Sequence, residues 1–285
     1  MSILAANISA DPAPTAAHPA VTAARELDKF YTKDVVARQC IRFFESSTGI
    51  DFATSESDII EPSAGAGAFL DHLPTTALAY DLAPEDPRVQ CQDFLDLNRD
   101  TPAIVIGNPP FGKASRLAVK FFNHAARFAS HIAFIVPRTF EKASIQNRLD
   151  RSFRLIGQMP LAPDSFTFEG QLYAVPCAFQ VWGRSLEARP LIALPRDHPD
   201  FSFVDRAAAD FAFQRVGVRA GATKTSFDTV AAASHHFVRA NIPLETLLAR
   251  LARIDFSEVK ARTAGNPSIS KTELVALYTE VTSGG

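Results

Sequence analysis

The sequence predicts an α/β fold: a seven-stranded, mostly parallel sheet with an antiparallel last strand, followed by a small C-terminal appendage. Three observations predict it. Short apolar runs recur between residues 58 and 182, with helical segments between several of them. The last two runs lie too close together for an intervening helix and so form an antiparallel pair. The alternation then stops near residue 200.

In chain order, residues 1–25 are rich in Ala and Pro and predict a flexible leader. "YTKDVVARQCIRFF" predicts a helix with Thr32 as N-cap and Asp34 in its first turn. Val36, Cys40, Phe43 and Phe44 fall on one face of that helix. Strands are expected at 58–60, 77–82, 88–94, 103–106, 131–136, 153–159 and 173–182. Helices are expected at 116–129 and, shorter, at 142–150. Beyond residue 200, "FAFQRVGVRAG" at 211–221 predicts a strand and "PLETLLARLARI" at 243–254 an amphipathic helix. Ser270 with Glu273 forms a capping box that opens a last helix. These patterns divide the chain into a leader (1–25), a main domain (26–190) and a C-terminal region (191–285).

Composition narrows the function classes. Hydrophobic residues make up 47% and charged residues 21%, enough apolar content for a sizeable core. The chain has 23 Phe against 4 Tyr and 1 Trp, so rings are available for stacking as well as packing. Net charge is −2, which gives no global basic signal. Residues 201–285 hold 10 Lys/Arg against 8 Asp/Glu, while the first 200 hold 19 against 23, an asymmetry that permits a basic groove near the C-terminus. Cys40, Cys91 and Cys177 form no C-x-x-C pair, which argues against a metal site or a disulfide framework. A reducing, cytoplasmic setting is expected, with no membrane span and no secretory signal.

The chemistry concentrates at strand ends. "EPSAGAGAF" follows the first strand, and Gly65 and Gly67 allow a tight turn and close approach of a ligand. A dinucleotide fingerprint needs a third Gly at position 70, where Leu70 stands. Asp81 closes the second strand, where a carboxylate can accept ribose hydroxyls. Asp93 and Phe94 close the third, suited to an adenine amino group and ring face. No G-K-[ST] phosphate loop is present. Three consecutive strand ends of this kind describe a site for an adenosine-containing ligand without phosphates. The fourth end carries Asn108, Pro109, Pro110 and Phe111. The Asn side-chain carbonyl and the Pro109 backbone carbonyl form two fixed acceptors for one NH2 group, and Phe111 can cover the ring that bears it.

The ordered set "YTKDVVA", "EPSAGAGAF", "YDL", "QDF" and "NPPF" resembles the AdoMet-dependent N6-adenine DNA methyltransferases, with the gamma-type order of cofactor motifs, catalytic motif and recognition region. The resemblance covers roughly residues 30–182. It implies a Rossmann-like class I methyltransferase fold and S-adenosyl-L-methionine as cofactor. Tyr31 and Thr32 would flank the methionine part. Glu61, Pro62, Ser63, Ala64, Gly65 and Gly67 would form the cofactor loop, with Asp81, beside Leu82, on the ribose and Asp93 and Phe94 on the adenine. Asn108, Pro109, Pro110 and Phe111 would hold and stack the target base, with Phe168 as the second stacking ring and Phe166 in reserve. The sequence departs from the family in having Lys33 where a Pro is commoner, and Asp81 where many relatives have Glu.

The resemblance implies double-stranded DNA as partner, a base flipped out of the helix, and a possible place in restriction-modification. The C-terminal region would supply the DNA contacts through Arg215, Arg219 and Lys224, with Lys260, Arg262 and Lys271 nearby. His235-His236 is expected in a loop or at a helix end. No metal is implied, and protein partners are not indicated. Adenine in RNA and a protein glutamine amide are alternative amines. A non-catalytic AdoMet or nucleic-acid binder is the alternative of another class, disfavoured by the intact Asn-Pro-Pro-Phe set. A dehydrogenase is weakened by Leu70 and by the same set.

Overall fold

The computed structural model describes residues 30–168, 171–173, 175–263 and 265–283, and the side chains of Phe168 and residues 171–173 are outside the description. The leader expected over residues 1–25 lies outside the described residues. The first part of the chain runs β1 (Tyr31–Thr32), α1 (Asp34–Thr48), β2 (Asp58–Glu61), β3 (Leu78–Asp81), β4 (Gln90–Cys91) and β5 (Ala103–Gly107). It continues through α2 (Arg116–Ala125), β6 (Ala129–Pro137), α3 (Ala143–Gln146), β7 (Phe153–Pro160), β8 (Phe166–Phe168), β9 (Gln171–Tyr173) and β10 (Cys177–Arg184). The rest comprises β11 (Phe201–Phe203), β12 (Phe211–Gln214), β13 (Thr223–Lys224), β14 (His235–Ala240), α4 (Leu244–Leu251), α5 (Ser257–Ala261) and α6 (Lys271–Ser283).

Seven strands form the central sheet in the order β4-β3-β2-β5-β6-β10-β7. The pairs β4-β3, β3-β2, β2-β5 and β5-β6 are parallel, and β10 runs antiparallel to both neighbours. This is a Rossmann-like mixed α/β sheet with its last strand reversed, as the sequence predicts. Strand β5 is buried throughout, and its alternation sorts the two cores. Ile104 and Ile106 join Val36, Cys40 and Phe44 of α1 on one face; Ala103 and Val105 join Val119 and Phe122 of α2 on the other. Each large apolar side chain so buried contributes about 1.5–3 kcal/mol. That outweighs the modest helix propensity of the β-branched and aromatic residues in α1.

Several local expectations give way to tertiary structure. Helix α1 begins at Asp34 with Lys33 at its N-cap and no side-chain cap. Thr32 is instead in β1, paired with Phe166 of β8. Only Gln90–Cys91 of the expected 88–94 strand is extended, because Asp93 caps a tight turn through Leu95 N–H at 2.9 Å. The links from β2 to β3 and from β4 to β5 carry single 3-10 turns at Leu70–His72 and Phe94–Asp96. The 211–221 strand stops at Gln214 because Gly217 and Gly221 take positive φ and Gly221 N–H folds back onto the Gln214 carbonyl at 2.8 Å. His235 and His236 open β14, so they lie in a strand and not in a loop or at a helix end.

Residues 201–240 form an antiparallel sheet in the order β11-β14-β12-β13. It shares a core of its own with α4, α5 and α6, centred on Phe211, Phe213, Leu247, Leu274 and the fully buried Tyr278. The capping box forms as expected: Glu273 N–H donates to Ser270 Oγ at 3.2 Å and Ser270 N–H to Glu273 Oε2 at 2.8 Å. This unit meets the first part of the chain just past the carboxyl end of β6. There Lys142 pairs with Glu273 at 3.2 Å and Arg262 lies 3.5 Å from Glu141.

Candidate active site

The parallel strands β2, β3, β4 and β5 all end on one edge of the sheet, so their following loops converge. Two adjoining clefts open there. The first, about 590 Å³ including its open mouth, is lined by Phe30, Tyr31, Thr32, Glu61, Ser63, Gly65, Asp81, Asn108 and Pro110 among others. The second, about 400 Å³, is lined by Pro62, Leu82, Asp93 and Phe94 and shares Ser63, Asp81 and Pro110 with the first. Residues far apart in sequence thus meet at one place, with Pro110 at the junction.

Backbone geometry sets these positions. Gly65, at φ +52°, turns the loop after β2 so that its N–H reaches Asp81 Oδ2 at 2.9 Å. The other Asp81 oxygen accepts from Ala83 N–H at 2.8 Å. The carboxylate is thereby fixed on the cleft wall with lone pairs to spare. Gly107, the last residue of β5, approaches the β2 loop closely: a Cβ there would lie 3.2 Å from Glu61 Cγ and 3.3 Å from Pro62 Cδ. That close approach brings Asn108 beside Glu61. Gly107 is a site residue that the motif reading missed, although a Gly directly before Asn-Pro-Pro is a signal of such contact.

Asn108 is oriented by its amide nitrogen, which donates to the Phe30 carbonyl and to Thr32 Oγ1, each at 3.2 Å. Its Oδ1 is buried and has no partner among the described residues. Glu61 is 2% exposed, and its Oε2 is likewise buried and unpartnered. Burial raises the Glu61 pKa well above the usual carboxylate range, with the nearby Asp81 charge adding to the shift and the Leu70 N–H opposing it. The buried Asn108 Oδ1, an acceptor in any protonation state, selects a ligand that brings an N–H donor.

Tyr31 lines the first cleft. Its hydroxyl donates to Glu85 Oε1 at 2.6 Å, joining the small β1-β8-β9 sheet to the loop after β3. Burial, and then that hydrogen bond, push the phenol pKa up to about 12. Phe30 faces the same cleft, and its ring lies 6.5 Å from that of Phe111 at an interplanar angle of 30°. Phe30 was not singled out in the sequence, because it precedes the first recognisable motif.

The remaining expected site residues divide. Gly65, Ser63, Ala64 and Thr32 face the first cleft. Gly67 lines neither; it holds a positive φ of +80° and packs toward Asp86 and Arg88. Phe94 is 1% exposed, stacked on Phe121 at 5.4 Å, and presents only part of its ring to the second cleft. Pro109 is buried, and no hydrogen bond to its carbonyl forms among the described residues. Phe111 is half-buried against both cores. Phe166 is 1% exposed in the core and so has no free face for stacking, whereas the Phe168 side chain lies outside the described residues.

Of the C-terminal cations, Arg215 donates to the Ala233 carbonyl, Lys260 to the Val218 carbonyl, and Arg262 pairs with Glu258. Lys271 sits over the Phe203 ring. Arg219 is exposed and Lys224 half-buried. Among the described residues, no group of three or more His, Cys, Asp or Glu is placed to hold a metal ion, and no helix is long and apolar enough to cross a membrane.

No known protein family matches the chain by sequence, and no curated protein matches it. Solved structures do. One is a Pyrococcus horikoshii protein assigned as an RNA methyltransferase, at 15% identity, covering 56% of this chain and 88% of the other, with a TM-score of 0.45. Another is the 23S rRNA methyltransferase ErmE, at 16% identity over 57% of this chain and 72% of the other, TM-score 0.39. A third is a type I restriction-modification methyltransferase subunit from Streptococcus thermophilus, at 14% identity over 57% of this chain and 47% of the other, TM-score 0.41. At these identities and scores, activity is read from the site's own residues.

Proposed function

We propose that this chain is an S-adenosyl-L-methionine-dependent methyltransferase acting on the N6 amine of adenine in DNA. The observation that carries the reading is the state of Asn108. Its amide nitrogen is tied down, its oxygen is an unsatisfied buried acceptor, and it lines the first cleft two residues before Pro110, which lines both. The residues present fit the cofactor. A carboxylate anchored by backbone N–H groups faces the first cleft, as a pair of ribose hydroxyls requires. The loop after β2 is followed by a 3-10 turn, not by a helix whose N-terminus would select phosphate. Both features suit an adenosine ligand without phosphates.

S-adenosyl-L-methionine, when bound, supplies a methyl group already activated on a cationic sulfur. What remains for the protein is positioning and polarisation. Asn108 Oδ1 and the Pro109 carbonyl accept the two amine hydrogens, which localises the nitrogen lone pair. Pro109 and Pro110 fix the turn, so neither acceptor must reorganise. Phe111 covers the base, offsetting the stacking lost when an adenine leaves the duplex. No side chain is assigned as a general base.

The test is incubation with labelled S-adenosyl-L-methionine and unmethylated duplex DNA, RNA or protein, followed by digestion and product identification. N6-methyladenine in DNA is expected. Asn108→Ala should lower kcat by about 10²- to 10³-fold, comparable to removing one preorganised polar contact from a transition state. Asp81→Ala should instead raise the Kd for S-adenosyl-L-methionine by about 10- to 100-fold, the value of a hydrogen-bonded charge. Label found only in RNA or in a protein amide would reject DNA as the substrate. Cofactor binding with no transfer to any acceptor would reject the enzyme reading.

A further inference from the structure

The loop that carries Asn108 continues into a surface that none of the site motifs addresses. Lys113, Arg116 and Lys120 follow the Asn-Pro-Pro-Phe-Gly turn, and Arg148 joins them from the turn after α3. All four are exposed and line one shallow, open groove together with Gly112, the residue after Phe111. None of the seven residues lining that groove is acidic. None of the four cations makes a side-chain hydrogen bond, ion pair or ring contact among the described residues.

Arg42, Arg196, Arg219, Lys224, Arg239 and Arg253 also make no such contact among the described residues, but here four such cations line one groove. Elsewhere Arg38, Arg88, Arg138, Arg154 and Arg250 each have a carboxylate partner within 3.0 Å. Of the C-terminal candidates, Arg215, Lys260, Arg262 and Lys271 are engaged internally, while Arg219 and Lys224 make no side-chain hydrogen bond, ion pair or ring contact among the described residues. Four unpaired cations on one face repel each other, a cost relieved by an anionic partner. The face is also held in register with the site. The N–H groups of Leu117 and Ala118, in the first turn of α2, donate to the Phe111 carbonyl at 3.1 and 3.2 Å. Arg116 and Lys120 stand one turn apart, about 6 Å along the helix, and so can address neighbouring phosphates of one strand.

The geometry points to this face as a docking surface for the phosphate backbone of duplex DNA, gripping the strand next to the base presented to Asn108. The assignment rests on the methyltransferase reading above and adds to it the surface that positions the polymer. It also moves the main electrostatic contact from the C-terminal region to the start of α2.

The test is fluorescence anisotropy of a labelled DNA duplex over a series of KCl concentrations, with wild type and the Lys113→Gln/Arg116→Gln/Lys120→Gln variant. The slope of log K against log salt should become less negative by about 3, roughly one per phosphate contact removed. Affinity for S-adenosyl-L-methionine and the melting temperature should stay unchanged. A Lys120→Gln/Arg148→Gln variant, expected to change the slope by about 2, gives a second measurement on a lighter substitution. An unchanged slope in a folded variant, while wild type still methylates DNA, would overturn the docking surface and leave the enzyme reading intact. A changed slope with no methyl transfer by wild type would keep the surface and reject the enzyme. A slope change confined to duplex RNA would overturn the assignment to DNA.

Discussion

At the scale of single residues, Glu61 combines the two demands on this site. It closes β2, where the chain needs an apolar strand end, yet it carries a carboxyl that is 2% exposed with one oxygen unpartnered. Burial raises its pKa, so the folded state favours the protonated form. A carboxyl whose folded pKa lies above its unfolded value of about 4.3 adds stability below that unfolded value and loses it as pH rises through the folded pKa. Glu61→Gln keeps the shape and removes the titration. Its melting temperature should therefore exceed that of wild type by a margin that grows as pH rises above the unfolded value of about 4.3, while S-adenosyl-L-methionine binding weakens. A margin that stays constant with pH in calorimetry would show that Glu61 is not the group being strained. Glu61, Asp81 and Asn108 were legible in the sequence because each directly follows an apolar run, and strand ends can be counted. Phe30 and Gly107 were less so, since their roles depend on which loop lies opposite.

At the scale of elements, the turn from β5 into α2 stores strain. Ala114 and Ser115 have φ of +54° and +59°, a left-handed conformation that costs a non-glycine residue about 1–2 kcal/mol. Ser115 is held there by its hydroxyl contact with Thr139 Oγ1 at 2.7 Å. Ala114→Gly should relieve the strain, less about 0.4–1 kcal/mol for the greater freedom of the unfolded chain. The expected net gain is about 0.5–1 kcal/mol, seen as a higher urea midpoint at unchanged slope. A lower midpoint would mean the left-handed turn is not populated in solution. The sequence showed the helix of this element but not its entry, because "GKAS" has no β-branched residue or proline to mark its backbone conformation. The same limit explains the small β1-β8-β9 sheet over the cleft: a two-residue strand has no periodicity, and its partner lies more than 130 positions away. Strands β5, β6 and β10 could be read directly, because burial on both faces leaves runs that are almost wholly apolar over Ala103–Gly107, 132–137 and 177–182, interrupted only by Gln180.

At the scale of the whole molecule, the C-terminal unit has its own sheet and core, and its junction with the first part of the chain includes a cluster of polar contacts. Lys142 is the centre of them: its ammonium donates to the Ser268 carbonyl at 3.3 Å and pairs with Glu273 at 3.2 Å. The two side chains of that pair are only 14% and 11% exposed. An exposed pair would contribute about 0.2–1 kcal/mol, whereas breaking a fully buried pair costs about 3–5 kcal/mol. This pair lies nearer the buried limit, so Lys142→Met should cost about 2 kcal/mol. The loss falls on the junction and not on either core. Hydrogen exchange should therefore rise at residues 138–142 and 266–273 while the central strands stay protected. Uniform acceleration across the chain would mean that the two parts unfold as one cooperative unit. Because α3 and the Glu141–Lys142 corner follow β6 on the same edge of the sheet as the clefts, loosening this junction should also impair polymer binding more than binding of S-adenosyl-L-methionine. Anisotropy with duplex DNA and calorimetry with the cofactor, run on the same variant, separate the two effects.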